Sequence, residues 1–435
     1  MSDALRAEPA PIRSRTFAAL DNPDYRRYYL GQGISLVGTW LQVAAVKWIV
    51  FDKTQSEFML GVVEAAGLMP GLLVGLLAGV LADRVVPRRM ILAMQVGQMI
   101  LAFALALLIG LGVERIWQMA LILAMSRVCV TLEMPSRQVF LYDLVGRPAL
   151  MNAIALNTGL FNASRVIGPA LAGLCLSSFG ATVCFALNGA SYVAAIMALL
   201  SIRLDERLSP KGEKGIGEAL GGFEYLRRDR RVAMLFVLMA FFGIVGMGYD
   251  AMIPAYARKV VATDVRGYSA LLACSGVGAT LGALAVASLG GLRRKERLVF
   301  GGLFLFAMSL ASASWLPEQV GKVWPGPARL WVASACLLGV GFGAVVFYSA
   351  TQTLIQTAVP DHLRGRVMGV WMIVYSGSVP VGALGTGRLA HQHGVAAVMG
   401  LSALLCAAVA LVSWGSGLLA RPAADAGLTA DPGIG

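Results

Sequence analysis

Runs of about twenty consecutive apolar residues recur along this chain, most of them separated only by short polar turns. Wound as an α-helix at 1.5 Å per residue, such a run spans about 30 Å, the thickness of a bilayer's hydrocarbon. Twelve candidates stand near 27–51, 58–82, 90–112, 116–140, 150–178, 181–202, 232–257, 267–291, 298–316, 328–357, 366–390 and 394–420. Only helices and closed barrels satisfy every backbone polar group in lipid. These runs are continuous rather than alternating, which selects helices. Composition agrees, with 57% of residues hydrophobic and 14% charged, against about 25% charged in a soluble domain. The expectation is an all-α integral membrane protein with twelve transmembrane helices.

The formal net charge of +12 invites a nucleic-acid reading, but the excess sits in short loops, where it orients a membrane chain. With the N-terminus inside, cytoplasmic segments hold 25 Lys and Arg and external ones 8, which puts both termini in the cytoplasm. Residues 1–26 form a polar N-terminal segment with no signal peptide. Residues 27–202 make a first six-helix bundle, 203–231 a basic cytoplasmic linker with one surface helix near 216–228, and 232–420 a second bundle. The Ala-, Gly- and Pro-rich 421–435 is read as a disordered tail. The halves form a weak parallel repeat. Gly61 to Arg88 lies on Gly267 to Arg294, and Gln138 to Val145 on Gln352 to Val359. Six cysteines, all inside apolar segments and without a CxxC pair, read as small core residues. There is no phosphate-binding Gly-x-x-x-x-Gly-Lys-Ser/Thr loop. No nucleophile or metal-ligand pattern stands out either, so neither an enzymatic role nor a cofactor is expected. Tyr25, Tyr28, Tyr29, Trp117, Trp315 and Trp331 near span ends fit interfacial anchors.

Between the second and third runs stands Gly79-Val-Leu-Ala-Asp83-Arg84-Val-Val-Pro87-Arg88-Arg89. This spelling resembles the signature loop between helices 2 and 3 of the major facilitator superfamily of transporters. The resemblance implies two pseudo-symmetric six-helix bundles with a cavity between them. It also implies that Gly79, Asp83, Arg84, Arg88 and Arg89 belong to a gate, Asp83 pairing with an arginine or a helix N-terminus of the other half. The stretch Ala155 to Gly173, which contains Asn157, Asn162, Arg165, Gly168 and Pro169, resembles the fifth helix of one bacterial branch, the enterobactin-exporter-like and macrolide-efflux-like proteins. The segments Asn22 to Gln32, Trp40-Leu-Gln42 and Pro360 to Val367 are similar to that branch as well. Thr39 stands where the branch implies an acidic residue, and Lys47 where it implies an uncharged one. Export across a bacterial inner membrane, by proton antiport from a monomeric carrier, is what the branch implies.

Charges inside spans are costly in hydrocarbon and usually line a cavity or have a partner. Arg165 and Arg127 fall near the middle of their runs, and Asn162, Arg165 and Pro169 share one helix face. Glu133 is expected to pair with Arg165 across antiparallel helices, and Lys47 with Glu64 on consecutive helices. Gly168-Pro169 is expected to bend its helix. A proton-carrying carboxylate is sought among Glu133, Asp250 and Glu64. The two central arginines suggest an anionic or polyphenolic substrate, siderophore- or drug-like. A carrier of lysophospholipids, or a membrane sensor on the same fold, is the alternative.

Overall fold

A computed structural model describes residues 17–82, 84–202, 224–289, 296–324 and 327–415. Asn22 starts α1 (Pro23–Thr54): its side chain accepts from the amides of Asp24 at 2.9 Å and Tyr25 at 3.2 Å, and Pro23 supplies a preset φ. After a turn at Gln55 come α2 (Glu57–Ala82) and α3 (Pro87–Gly110). The next helical stretch, Ile116–Phe179, is 64 residues long, about 96 Å at the standard rise and therefore three bilayers deep. It is two helices. Gly146 breaks it with φ 68° and ψ 172°, a left-handed φ that glycine adopts without a Cβ penalty. The pieces are α4 (116–145) and α5 (147–179). Then follow α6 (Ala181–Ser201), α7 (Arg230–Val261), α8 (Val265–Ser288), α9 (Glu296–Val323), α10 (Ala328–Ala358), α11 (Asp361–His393) and α12 (Val395–Gly415). The expected twelve spans are present among the described residues. An even number puts both ends of the bundle on one side, here the terminal face, opposite a far face.

The first bundle packs α1 against α5 and α6, α2 against α4, and α3 against α4 and α6. The second packs α10 against α8 and α9, α9 against α12, and α11 against α7. Two seams join the bundles, α2 with α11 and α5 with α8. The repeat read from the sequence falls on equivalent helices, α2 on α8 and α4 on α10. Helix α7 is irregular: π-helical turns at Phe242–Gly246 and Ala257–Val261 flank the octet Tyr249–Tyr256. Such turns insert a residue and re-aim the face that follows.

One expectation needs correction. Tyr25 and Tyr28 do not anchor at an interface: both are buried, and Tyr25 donates to the Ala153 carbonyl at 3.1 Å. They sit one turn inside α1, where the ends of α4 and α5 cover them. Trp117, Trp315 and Trp331 are exposed. The chain keeps helical φ/ψ through Gly168-Pro169, and the break between α4 and α5 falls at Gly146. Gly168 packs against the backbone of Trp40 and Leu41 on α1. Of the linker, residues 224–228 are helical; 203–223 and the tail lie outside the described residues.

Candidate functional site

Where the bundles meet, a small recess of about 30 Å³ is lined by Trp40, Val43, Ala44 and Lys47 of α1, Arg165 and Pro169 of α5, Asp250 of α7, and Leu272 and Ser275 of α8. Each bundle supplies part of the wall. Lys47 is its electrostatic centre. Its Nζ lies 2.5 Å from Asp250 Oδ2 on the opposite bundle and 3.2 Å from Glu64 Oε2 on α2. The Lys47–Glu64 pair follows the sequence expectation. Asp250, 203 positions away, joins it only through the tertiary fold.

Arg165 does not meet Glu133. Its guanidinium lies 5.8 Å from the Trp40 ring centre, within cation–π range, and Phe161 packs edge-on against Trp40 at 5.6 Å. Glu133 is buried inside the first bundle. It pairs with Arg137 one turn on, and accepts from Gln95 at 2.8 Å and Gln98 at 3.1 Å. The network continues from Tyr192 to Gln98 at 3.0 Å and from Thr39 to Tyr192 at 3.1 Å. Glu133 stands on α4 and Arg165 on α5, on either side of the break at Gly146, each with its own partners. Arg127 is exposed on α4, and Tyr375 of α11 lies in the combined field of Arg165, Asp250 and Arg127. Neither Arg127 nor Arg165 has a carboxylate partner among the described residues. Asn162 turns back on its own helix, donating to the Thr158 carbonyl at 2.9 Å.

The loop residues separate. Arg88 donates to the carbonyls of Leu199 at 3.0 and 3.2 Å and of Leu200 at 3.2 Å, capping the end of α6 within its own bundle. Arg84 is exposed just past α2, Arg89 is exposed on the first turn of α3, and Gly79 lies in the last turns of α2. Asp83 lies outside the described residues.

Sequence reasoning passed over a second cluster, at the far face. Arg258 reaches Asp52 at 3.0 Å and covers the Trp48 ring at 4.6 Å. Lys259 reaches the buried Glu57 at 2.5 Å, and His391 approaches the same carboxylate at 3.4 Å. Tyr268 donates to the Ala44 carbonyl at 3.0 Å and stacks on Trp48 at 5.2 Å. All of these contacts cross between bundles, so the far face is closed. Only the turn-adjacent Arg258-Lys259 doublet hinted at them. No cluster of metal ligands occurs among the described residues.

Two helical bundles meeting at a charged recess inside a membrane-spanning fold define a small-molecule membrane transporter, not an enzyme. A family profile described as a transmembrane secretion effector, of the major facilitator superfamily, matches residues 14–428, and the chain belongs to that family. It is 20% identical to the staphyloferrin A transporter of Staphylococcus aureus, over 87% of this chain and 93% of that one. Macrolide efflux protein A of Streptococcus pyogenes is 22% identical over 88% and 93%. The enterobactin exporter of Salmonella typhi is 26% identical over 52% of each chain. Among solved structures, the fold matches a bacterial homologue of the lysosomal transporter Spinster, in an inward-facing, unoccupied conformation. The TM-score is 0.69, with 16% identity over 96% of this chain and 100% of that one. A nucleoside transporter matches with a TM-score of 0.72, at 12% identity over 92% and 100%.

Proposed function

We propose that this chain is a secondary-active exporter that carries a small, negatively charged organic molecule out of a bacterial cytoplasm in exchange for protons. The observation that carries this reading is Arg165, which lines the recess with no carboxylate within ion-pair distance among the described residues, while Arg127 stands exposed on α4 of the same bundle. An intramembrane cation without a counter-ion is costly, and an anionic cargo would neutralise it. Trp40, Phe161 and Tyr375 nearby suit an aromatic or polyphenolic body. The names of the relatives, which include a staphyloferrin transporter and an enterobactin exporter, support a siderophore-like cargo.

In this reading the halves 27–202 and 232–420 rock about the recess, exposing it to one side and then the other. Both termini face the cytoplasm, as the bias of 25 basic residues to 8 favours, and the carrier works as a monomer. Asp83 and Arg84 belong to the gate on the cytoplasmic side, while Arg88 holds α3 to α6. The proton-carrying carboxylate is Asp250 or Glu64 rather than Glu133, whose hydrogen-bonding capacity is taken up inside its own bundle. The test is efflux of a fluorescent catecholate from a pump-deficient strain. The expected outcome is export by the parent that a protonophore abolishes and that Arg165→Gln lowers at least about tenfold, the cost of one lost charge-assisted contact. Export indifferent to the protonophore and to Arg165→Gln would refute it.

A further inference from the structure

Lys47 touches two carboxylates, and they belong to different bodies. Glu64, like Lys47, is part of the first bundle and travels with it. Asp250 belongs to the second. The Lys47 side chain is 11% exposed, that of Glu64 25% and that of Asp250 30%, so both acids keep an exposed edge while the far face is closed. The other polar and charged groups facing Asp250 can be sorted in the same way. Arg165 on α5 moves with the first bundle. Tyr249 on its own helix, Tyr268 on α8 and Tyr375 on α11 move with the second. Among the described residues, the cations near Asp250, Lys47 and Arg165, therefore sit on the opposite bundle, and the groups that accompany it are phenols.

We infer that Lys47 is an internal cation that switches between Asp250 and Glu64, and that this exchange is the proton-coupling step of the transporter. The inference rests on the export reading above. When the far face opens, α7 withdraws from α1 and α2. Lys47 keeps Glu64, while Asp250 loses its contact with Lys47 and the longer-range field of Arg165. A lone carboxylate at this depth is costly, and its oxygen takes a proton from water on the far side. When the face closes, the Lys47 ammonium returns to Asp250. The acid gives up that proton to water in the recess, and Lys47 keeps its own three. One proton thus crosses inward per cycle. An anionic cargo in the recess meets the same two cations, Arg165 and Lys47. By competing with Asp250 for them it loosens the contact that keeps the far face shut, which ties outward passage of cargo to inward passage of the proton. The π-helical turns on either side of Tyr249–Tyr256 give the Asp250 segment two points at which to move.

The sign of the pH response follows. The far-open form holds one proton more than the far-closed form, so acid favours opening. Linkage to one proton limits the change in the open-to-closed ratio to about tenfold per pH unit. The experiment uses the full chain in lipid nanodiscs, with the six native cysteines replaced. Spin labels at Val113→Cys and Gln392→Cys stand on exposed far-face positions of the two bundles. Pulsed electron-resonance distances are recorded from pH 8 to pH 5. The expected result is a growing long-distance population in the parent as the pH falls. Asp250→Asn should hold the long distance at every pH, with no pH response beyond any that His391 and Glu57 contribute. Asp250→Glu should restore the response, and Glu64→Gln should keep it. His391 and Glu57 at the far face remain intact in every variant, so any response they contribute persists in Asp250→Asn and is subtracted. A pH response in Asp250→Asn equal to the parent's, or its loss in Glu64→Gln but not in Asp250→Asn, overturns the inference. Because no cargo is used, failure of the catecholate efflux test leaves these outcomes readable, and the two ideas fail separately.

Discussion

Glu133 and Asp250 show how much a single residue's surroundings decide. Both are carboxylates inside apolar runs, and the sequence offers the same reasons for suspecting either. Glu133 accepts from Gln95 and Gln98 and pairs with Arg137, all within one bundle. Nothing in that arrangement needs to change when the bundles rock. Removing one partner of a buried ion pair costs about 3 kcal/mol by leaving the other charge uncompensated. Glu133→Gln is therefore expected to lower the thermal unfolding temperature of the purified protein by several degrees, while transport per folded molecule stays proton-driven. A variant of parental stability that lost its pH response would reverse the roles assigned to Glu133 and Asp250. Arg88 is a similar case. Its position in a basic loop suggests a gate or a topological signal, yet its guanidinium is committed to the carbonyls that end α6.

At the scale of elements, the seam between α2 and α11 depends on how closely two backbones approach. A Cβ at Gly61 would lie 2.4 Å from the Ala383 carbonyl oxygen, closer than any real contact allows, and backbone cannot yield as a side-chain tip does. Overpacking of this kind costs about 1–3 kcal/mol. In the proposed rocking of the bundles it falls on one conformation only, the seam parting as the far face opens. Gly61→Val is thus expected to shift the closed-to-open balance by about tenfold or more toward open. The readout is the labelling rate of Ala390→Cys, which is buried on α11, by a membrane-impermeant thiol reagent, and unchanged labelling would argue that the seam does not part. The twelve helices themselves were legible from apolar run length, whereas the start of α1 at Pro23, capped by Asn22, lies a turn before the apolar run near 27. The π-helical turns of α7 were not legible, because an extra residue in a buried helix leaves no mark on an already uniform apolar pattern.

The whole molecule is held in its present conformation by contacts between bundles at the far face. Two ion pairs there differ in burial. Glu57 has a side chain 1% exposed, facing Lys259, whereas Asp52 and Arg258 are 52% and 43% exposed. Exposed pairs contribute about 0.2–1 kcal/mol, and pairs with a buried member more. A double-mutant cycle on Glu57→Gln and Lys259→Gln, read from the far-closed population, should give a coupling of about 1–3 kcal/mol. The cycle on Asp52→Asn and Arg258→Gln should give under about 1 kcal/mol. Equal couplings would mean that burial of Glu57 plays no part in keeping the face shut.

Membrane residence, twelve crossings and the pairing of two like halves were fixed by the sequence alone, because hydrocarbon imposes length, apolarity and backbone satisfaction on each segment separately. The family was legible for a related reason: its loop and fifth-helix motifs are local. Which charges meet was decided by the tertiary structure. Lys47 with Asp250, Glu57 with Lys259 and Arg165 with Trp40 join residues far apart along the chain, and no local periodicity encodes the angle at which two bundles face each other. That angle comes from close backbone packing along α2–α11 and α5–α8, and it turns scattered intramembrane charges into one recess.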